Sequence, residues 1–229
     1  MSNNHDLIQQ LNNKLQNLPP DVLDASGRFL YSRGATMKKG GYYLIGLNPG
    51  GDPKDYPLSL RKEMSNWENR AENAYLDEEW ENKKGRCAKG QHPYQAGVKK
   101  LCDIFKVDVR DVCASNWILT RSSNSEELRD KKSLIETFAP VQDVIMRIVQ
   151  PAIVFAIGKE TFDIASEHFS FGRQTTRGEE KNWRIYVAER KYNGEQQKLI
   201  GFPHFSRYDW YDLSKGEREK NISDIANGK

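Results

Sequence analysis

The strongest constraint on the fold is a pair of short, unbroken apolar runs. Tyr42-Tyr43-Leu44-Ile45-Gly46-Leu47 and Ala152-Ile153-Val154-Phe155-Ala156-Ile157 are too short for buried helices and show no polar alternation. They read as buried strands. Both end in turn chemistry. The first runs into Asn48-Pro49-Gly50-Gly51-Asp52-Pro53, a tight loop with two glycines and two prolines. The second meets Gly158-Lys159, which opens a short helix to about His168. Val112 to Leu119 is strand-like as well. Trp183 to Ala188 and Leu199 to Phe202 are strands parted by the hairpin-type turn Tyr192-Asn193-Gly194-Glu195.

Helical periodicity fills the intervals. Leu7, Ile8, Leu11 and Leu15 share one face of a helix that Pro19-Pro20 stops. Leu60, Met64, Trp67 and Ala71 are spaced for a helix. Tyr94, Val98, Leu101, Cys102 and Phe105 form an amphipathic stripe. Leu134, Phe138, Val141, Ile145 and Ile148 form a longer one, with Pro140 able to kink or split it and Pro151 ending it. A polar helix or tail closes the chain. This alternation describes an α/β fold: a three-layer α/β/α sandwich around a mainly parallel four-stranded central sheet, its last two strands able to pair antiparallel. The expected organisation is a single domain over 1–229. Residues 1–40 form an N-terminal helical extension, and the charged, aromatic stretch 54–93 is an insertion.

Composition narrows the function classes. Lys and Arg number 35 against 32 Asp and Glu, a net charge of +3. That rules out a strongly basic nucleic-acid coat and leaves room for a local basic groove. No run of 18 apolar residues exists, so no transmembrane helix or membrane partner is expected. Met1 to Gln10 lacks the apolar stretch of a signal peptide, and a cytoplasmic location is the expectation. Cys87, Cys102 and Cys113 fit neither a CxxC pair nor a disulfide ladder, so they read as ordinary thiols. No HxxxH, HxE or CxxC pattern points to a metal.

In parallel sheets the ligand crevice lies beyond the carboxyl ends of the strands. That rule singles out Asn48–Pro53, Asn116–Ser123, Gly158-Lys159 and Pro203–Tyr208. The first loop offers an amide and a carboxylate, with glycines that permit close backbone approach. It lacks GxGxxG and a Walker lysine, which argues against a nucleotide cofactor; a plain strand-exit turn competes. Asn116 carries an amide that donates and accepts at once, suited to a base edge or to capping a turn. His204, beside Ser206 and Arg207, suits an anion or developing negative charge, or is a satisfied loop histidine. Arg207, Tyr208, Trp210 and Tyr211 interleave a cation with aromatics, which fits phosphate and base contact but also a protein interface. His92 and His168 read as structural. No GxSxG elbow supports a serine hydrolase.

Taken in order, these pieces resemble the uracil-DNA glycosylase superfamily. Gly46-Leu47-Asn48-Pro49-Gly50 is similar to the Gly-x-Asn-Pro-Gly loop of its mismatch-specific and single-strand-selective branches. Ala114-Ser115-Asn116-Trp117 resembles the strand end whose Asn reads the flipped base. Val154-Phe155-Ala156-Ile157-Gly158-Lys159 looks like the third strand and its exit. His204-Phe205-Ser206-Arg207 matches the His and Ser of a His-Pro-Ser-Pro motif but not its prolines. The resemblance spans roughly residues 40–210.

The resemblance implies a monofunctional DNA glycosylase that extrudes a pyrimidine nucleotide and hydrolyses its N-glycosidic bond, leaving an abasic site. Its catalytic residues would be Asn48 or Asp52, positioning water, and His204, stabilising the departing base. Gly46, Leu47, Pro49, Gly50 and Asn116 would bind the base, with Tyr56 stacking on it and Trp117 behind. Lys159, Ser206, Arg207 and Tyr208 would contact DNA, although capping or a solvated face equally explains Lys159. Residues 173–191 hold six basic against three acidic residues and could add positive charge. The implied partner is DNA, with no metal or cofactor, and a monomer is expected. The substrate that the resemblance implies is a modified cytosine such as glucosylated hydroxymethylcytosine of phage DNA, in antiviral defence, or else uracil or another damaged pyrimidine in base-excision repair. A non-catalytic DNA-binding module on the same fold is the competing class.

Overall fold

The computed structural model describes residues 4–82, 85–124, 126–128, 130–180, 183–205 and 216–226. The first helix is α1 (Asn4–Gln16), which buries Leu7, Leu11 and Leu15 as their spacing requires. Pro20 opens α2 (Pro20–Asp24), where a missing N–H leaves nothing unpaired. After β1 (Tyr42–Gly46) the chain makes α3 (Leu60–Met64) and α4 (Ala74–Asp77), then a small hairpin of β2 (Glu81–Asn82) and β3 (Gly85–Arg86). Part of the stretch from Leu60 to Ala71 is helical, as its spacing suggests: α3 covers Leu60–Met64, and Trp67–Asn69 forms a 3-10 turn.

Next come α5 (Pro93–Phe105), β4 (Cys113–Asn116), α6 (Lys131–Val149), β5 (Ile153–Ile157) and α7 (Lys159–His168). The remaining elements are β6 (Thr175–Glu180), β7 (Trp183–Tyr192), β8 (Glu195–Phe202) and α8 (Gly216–Ala226). α6 runs through Pro140 as one helix. Asn193 and Gly194 both have positive φ (51° and 84°), as a two-residue hairpin between right-twisted strands demands.

Among the described residues the central sheet has six strands, in the order β4-β1-β5-β8-β7-β6. β4, β1, β5 and β8 are parallel; β7 and β6 continue the sheet antiparallel. The four-strand expectation is therefore corrected to six. β6 escaped notice because its sequence, Thr-Thr-Arg-Gly-Glu-Glu, has no apolar period; it is an edge strand held by backbone pairing to β7.

Side chains alternate across the sheet. Tyr43, Ile45, Cys113, Val154, Ala156 and Leu199 pack with residues of α1, α6 and α7. Leu44, Ala114, Phe155, Ile157, Ile200 and Phe202 pack with residues of α5 and α8. Burial on both faces explains why the strands are continuously apolar. The segment 26–31 is extended and not helical. It lies along β4 through bridges Gly27↔Thr120 and Leu30↔Ser115, with Tyr31 N–H bonded to the Ala114 carbonyl at 2.9 Å, and so covers that sheet edge. Among the described residues no helix is long and apolar enough to cross a membrane.

Candidate active site at the carboxyl ends of the parallel strands

The four parallel strands end at Gly46, Asn116, Ile157 and Phe202, and all four ends line one cavity of about 1820 Å³. Gly46 and Asn116 face each other in register across β1 and β4. A Cβ on Gly46 would sit 2.2 Å from Asn116 Oδ1, so only glycine leaves the amide its place. Asn116 is 6% exposed. Its carbonyl accepts from Gln142 Nε2 at 2.8 Å, and Gln142 Oε1 accepts from the Tyr43 hydroxyl at 2.7 Å. The Asn116 side chain also interacts with the Tyr31 hydroxyl.

The loop after β1 is held from the opposite side. Asn48 Nδ2 donates to Ser122 Oγ at 2.9 Å and to the Pro49 carbonyl at 3.0 Å. Ser122 Oγ in turn donates to the Asn124 carbonyl. Asn48 Oδ1 accepts no hydrogen bond among the described residues, so it keeps acceptor capacity for water or ligand. Leu47 and Gly50 line the cavity with Asn48; Pro49 is buried in the turn. Asp52 is exposed, lies outside the cavity lining, and accepts from the Lys54 N–H at 2.9 Å, a turn-forming role. Tyr56 stands at the rim with the Arg121 guanidinium 4.0 Å from its ring centroid. Arg121 also donates to the Gly50 carbonyl. Burial lowers the Arg121 pKa below its ordinary value.

Trp117 points elsewhere. It is fully buried in the core, packs against His168 and Phe169, and donates its indole N–H to the Ile135 carbonyl at 3.2 Å. The residue after a strand's last inward position turns to the opposite face, which is why it does not reach the cavity. Lys159, at the first position of α7, lines the cavity, but its ammonium is bridged to Asp163 and lies 4.9 Å from the Tyr186 ring centroid. His204 follows β8, lines the cavity, and meets Tyr94 edge-on at 5.5 Å between ring centroids. Ser206, Arg207 and Tyr208, with Trp210 and Tyr211, lie outside the described residues.

The stretch 54–93 builds the far wall. Tyr75 stacks on Tyr31 (5.7 Å, 15° between planes) and on Tyr94 (6.2 Å, 20°), and Trp80 packs against all three rings. Gln95 locks this wall to α5: its Nε2 donates to the carbonyls of Ala74 (2.7 Å) and Glu78 (2.9 Å), while its Oε1 accepts from His92 N–H (3.0 Å). His92 caps α5 in a reciprocal pair with Gln95, the structural role expected of it. Arg28 donates to Glu78 through both terminal guanidinium nitrogens, at 2.8 and 2.5 Å, and through Nε to Glu63 at 3.1 Å. Arg70 adds a 2.6 Å bond to Glu78. Burial works to raise the Glu78 pKa, but the bonds and charges of Arg28 and Arg70 outweigh it and hold the carboxyl at about 2. Burial also raises the tyrosines 31, 75 and 94, so their hydroxyls keep their protons.

The fold thus brings Gly46, Leu47, Asn48, Gly50, Tyr56, Asn116, Lys159 and His204 around one space, and leaves Asp52, Pro49 and Trp117 off its surface. Sequence reading did not find Tyr31, Tyr75, Trp80, Arg28, Glu78 or Arg121. Arg121 falls within the flagged window after β4, and Tyr94 was visible only as part of a buried helical stripe. Tyr31 and Arg28 carry no local signal, because they arrive from a segment that tertiary packing lays along β4. Chemically, the site offers amides at two strand ends, an imidazole at a third, and flat aromatic walls. This set can hold a planar, hydrogen-bonding ligand and stabilise negative charge on it. No protein-family model matches this chain, and no curated protein matches it.

Proposed function

We propose that the protein is a monofunctional DNA glycosylase of the uracil-DNA glycosylase type, acting on a bulky modified pyrimidine. The observation that carries this reading is the arrival of Asn48, Asn116 and His204, from three separate strand exits, at one cavity. A binding module has no need for all three. The flipped base enters beyond the carboxyl edge of the sheet, where the Asn116 amide meets its hydrogen-bonding edge and Tyr94 or Tyr31 lies against it. The bond between C1′ and the base nitrogen breaks, and its electron pair leaves with the base. His204 stabilises that negative charge. A water held by Asn48 Oδ1 adds to C1′; one of its protons passes to the departing base, and the products are free base and an abasic site. Asp52 takes no part, since it lies outside the cavity lining.

The size of the cavity supports a bulky substrate. About 1820 Å³ exceeds the roughly 300–1,000 Å³ of common ligand pockets. A glucosylated hydroxymethylcytosine, as found in phage DNA, would use that space in an antiviral role; uracil would leave much of it empty. The test is a panel of DNAs carrying uracil, a thymine mismatch, hydroxymethylcytosine or its glucosylated forms, with released base identified by mass spectrometry. His204→Ala and Asn48→Ala should each lower release by about 10²-fold or more while DNA binding persists. Tight DNA binding by the native protein without any abasic product would instead favour a non-catalytic DNA-binding module.

A further inference from the structure

Among the described residues, the charges that line the cavity are paired or open to water, with one exception. Arg28 is bound to Glu63 and Glu78, and Lys159 is bridged to Asp163. The remaining carboxylates are engaged as well, Glu79 and Glu81 by Arg86 and Glu160 by Lys131. Asp55 and Arg184 are exposed. Arg121 is half-buried in the lining and pairs with no carboxylate among the described residues. Its Nη1 donates to the Gly50 carbonyl, but its Nε is closed off from solvent with no hydrogen-bond partner. Burial, and the neighbouring Arg28 charge, work against the cation. The surroundings nevertheless hold it in place. The Arg121 backbone N–H donates to the Ser26 carbonyl at 2.8 Å, the Tyr56 ring centroid lies 4.0 Å from the guanidinium, and a Cβ on Gly51 would sit 3.4 Å from Nη1. A fixed, uncompensated cation with an unmade hydrogen bond lowers the stability of the free protein. Such strain is kept where a ligand relieves it.

Resting on the glycosylase reading, we propose that Arg121 is a further catalytic residue, which stabilises the negative charge of the departing base. Its surroundings tie it to both halves of the site. The Tyr31 hydroxyl that meets the Asn116 side chain feels the Arg121 charge, and Ser122, the next residue along the chain, holds the Asn48 amide. As the bond between C1′ and the base nitrogen breaks, its electron pair passes to the base and the charge spreads to a ring carbonyl oxygen. Arg121 donates a hydrogen bond to that oxygen and keeps its own proton. The substrate base is neutral, so the bound ground state leaves Arg121 uncompensated and the departing base completes it. An interaction made only as charge develops speeds the step without tightening substrate binding. A phosphate, in contrast, carries its charge from the start and would be held equally before and during the reaction.

The test is single-turnover base release by the full chain, on each DNA of the panel that the native protein cleaves. Affinity is measured on the same DNA made uncleavable by a 2′-fluoro substituent on the target sugar. Arg121→Gln keeps an amide donor for the Gly50 carbonyl and removes the charge. It should lower the single-turnover rate by about 10²-fold and change Kd by less than about threefold. Its melting midpoint should equal or exceed the native one, because an uncompensated cation has been removed. Arg121→Lys, which restores a cation, should recover part of the rate. A loss carried by Kd, with a shallower salt dependence, would make Arg121 a phosphate contact and overturn the proposal. A loss that tracks a lowered melting midpoint and that lysine does not relieve would make the residue structural and overturn it too. Native release matched by Arg121→Gln overturns the proposal alone, whereas a native protein that frees no base from any DNA of the panel overturns the glycosylase reading and the proposal with it.

Discussion

Gly46→Ala isolates the link between the sheet and the site. The new methyl would lie 2.2 Å from Asn116 Oδ1, against a floor of 3.0 Å for real Cβ contacts, so about 0.8 Å must be found. Neither side yields easily. Gly46 and Asn116 are paired in register, the Gly46 carbonyl accepts from Trp117 N–H at 2.8 Å, and the Asn116 carbonyl is tied to Gln142. The shift therefore falls on the Asn116 amide. A misplacement near 1 Å lowers turnover by about 10²-fold, and overpacking lowers stability by about 1–3 kcal/mol. On the glycosylase reading proposed above, base release reads the first effect, and urea denaturation reads the second. Gly41→Ala is the control: it precedes the same strand, and a Cβ there has nothing within 4 Å, so it should change neither. If Gly46→Ala keeps native release and native stability, the account of why glycine ends β1 is wrong.

Two further outcomes follow from burial and charge. Glu78→Gln should destabilise the fold at neutral pH by about 3 kcal/mol, the equivalent of holding a carboxyl at about 2 instead of 4.5. Because the folded value lies below the unfolded one, that stabilisation is complete above about pH 4.5 and disappears as pH falls toward 2. The gap between native and variant urea midpoints should therefore close over that range; a gap that does not vary with pH refutes the role given to Arg28 and Arg70. Cys102 and Cys113 are buried with thiols pushed up to about 12, mainly by burial. Maleimide at pH 7.5 should modify Cys87 alone in the native protein and all three cysteines in urea, as counted by intact mass. Rapid native labelling at Cys113 would show that the β4 edge is not sealed as described.

The elements that could be read from the chain are those whose own side chains meet a repeating environment. α5 and α6 each bury one face toward the sheet, and α1 buries one face against α6, so their apolar positions recur at helical spacing. β1 and β5 are buried on both faces, so they are short and apolar throughout. β6 and the β2–β3 hairpin repeat nothing of the kind, being held by backbone pairing with little apolar burial, and so left no trace.

The same division runs through the site. Local chemistry marked Asn48, Asn116 and His204, because turn and loop residues just past apolar strands are few and each is visible in place. That these three share one cavity depends on the strand order β4-β1-β5-β8, and order is set by long-range pairing that no local window contains. Trp117 and Asp52 show the converse. Each sits within a few residues of a cavity-lining asparagine, yet the direction of one side chain and the hydrogen bond of the other remove them from it. Residue identities along the chain were thus sufficient for the class of fold and for the polar groups available to a site. Only packing decided that a segment near the N-terminus supplies Tyr31 and Arg28, that stretch 54–93 becomes an aromatic and ionic wall, and which candidates face the cavity.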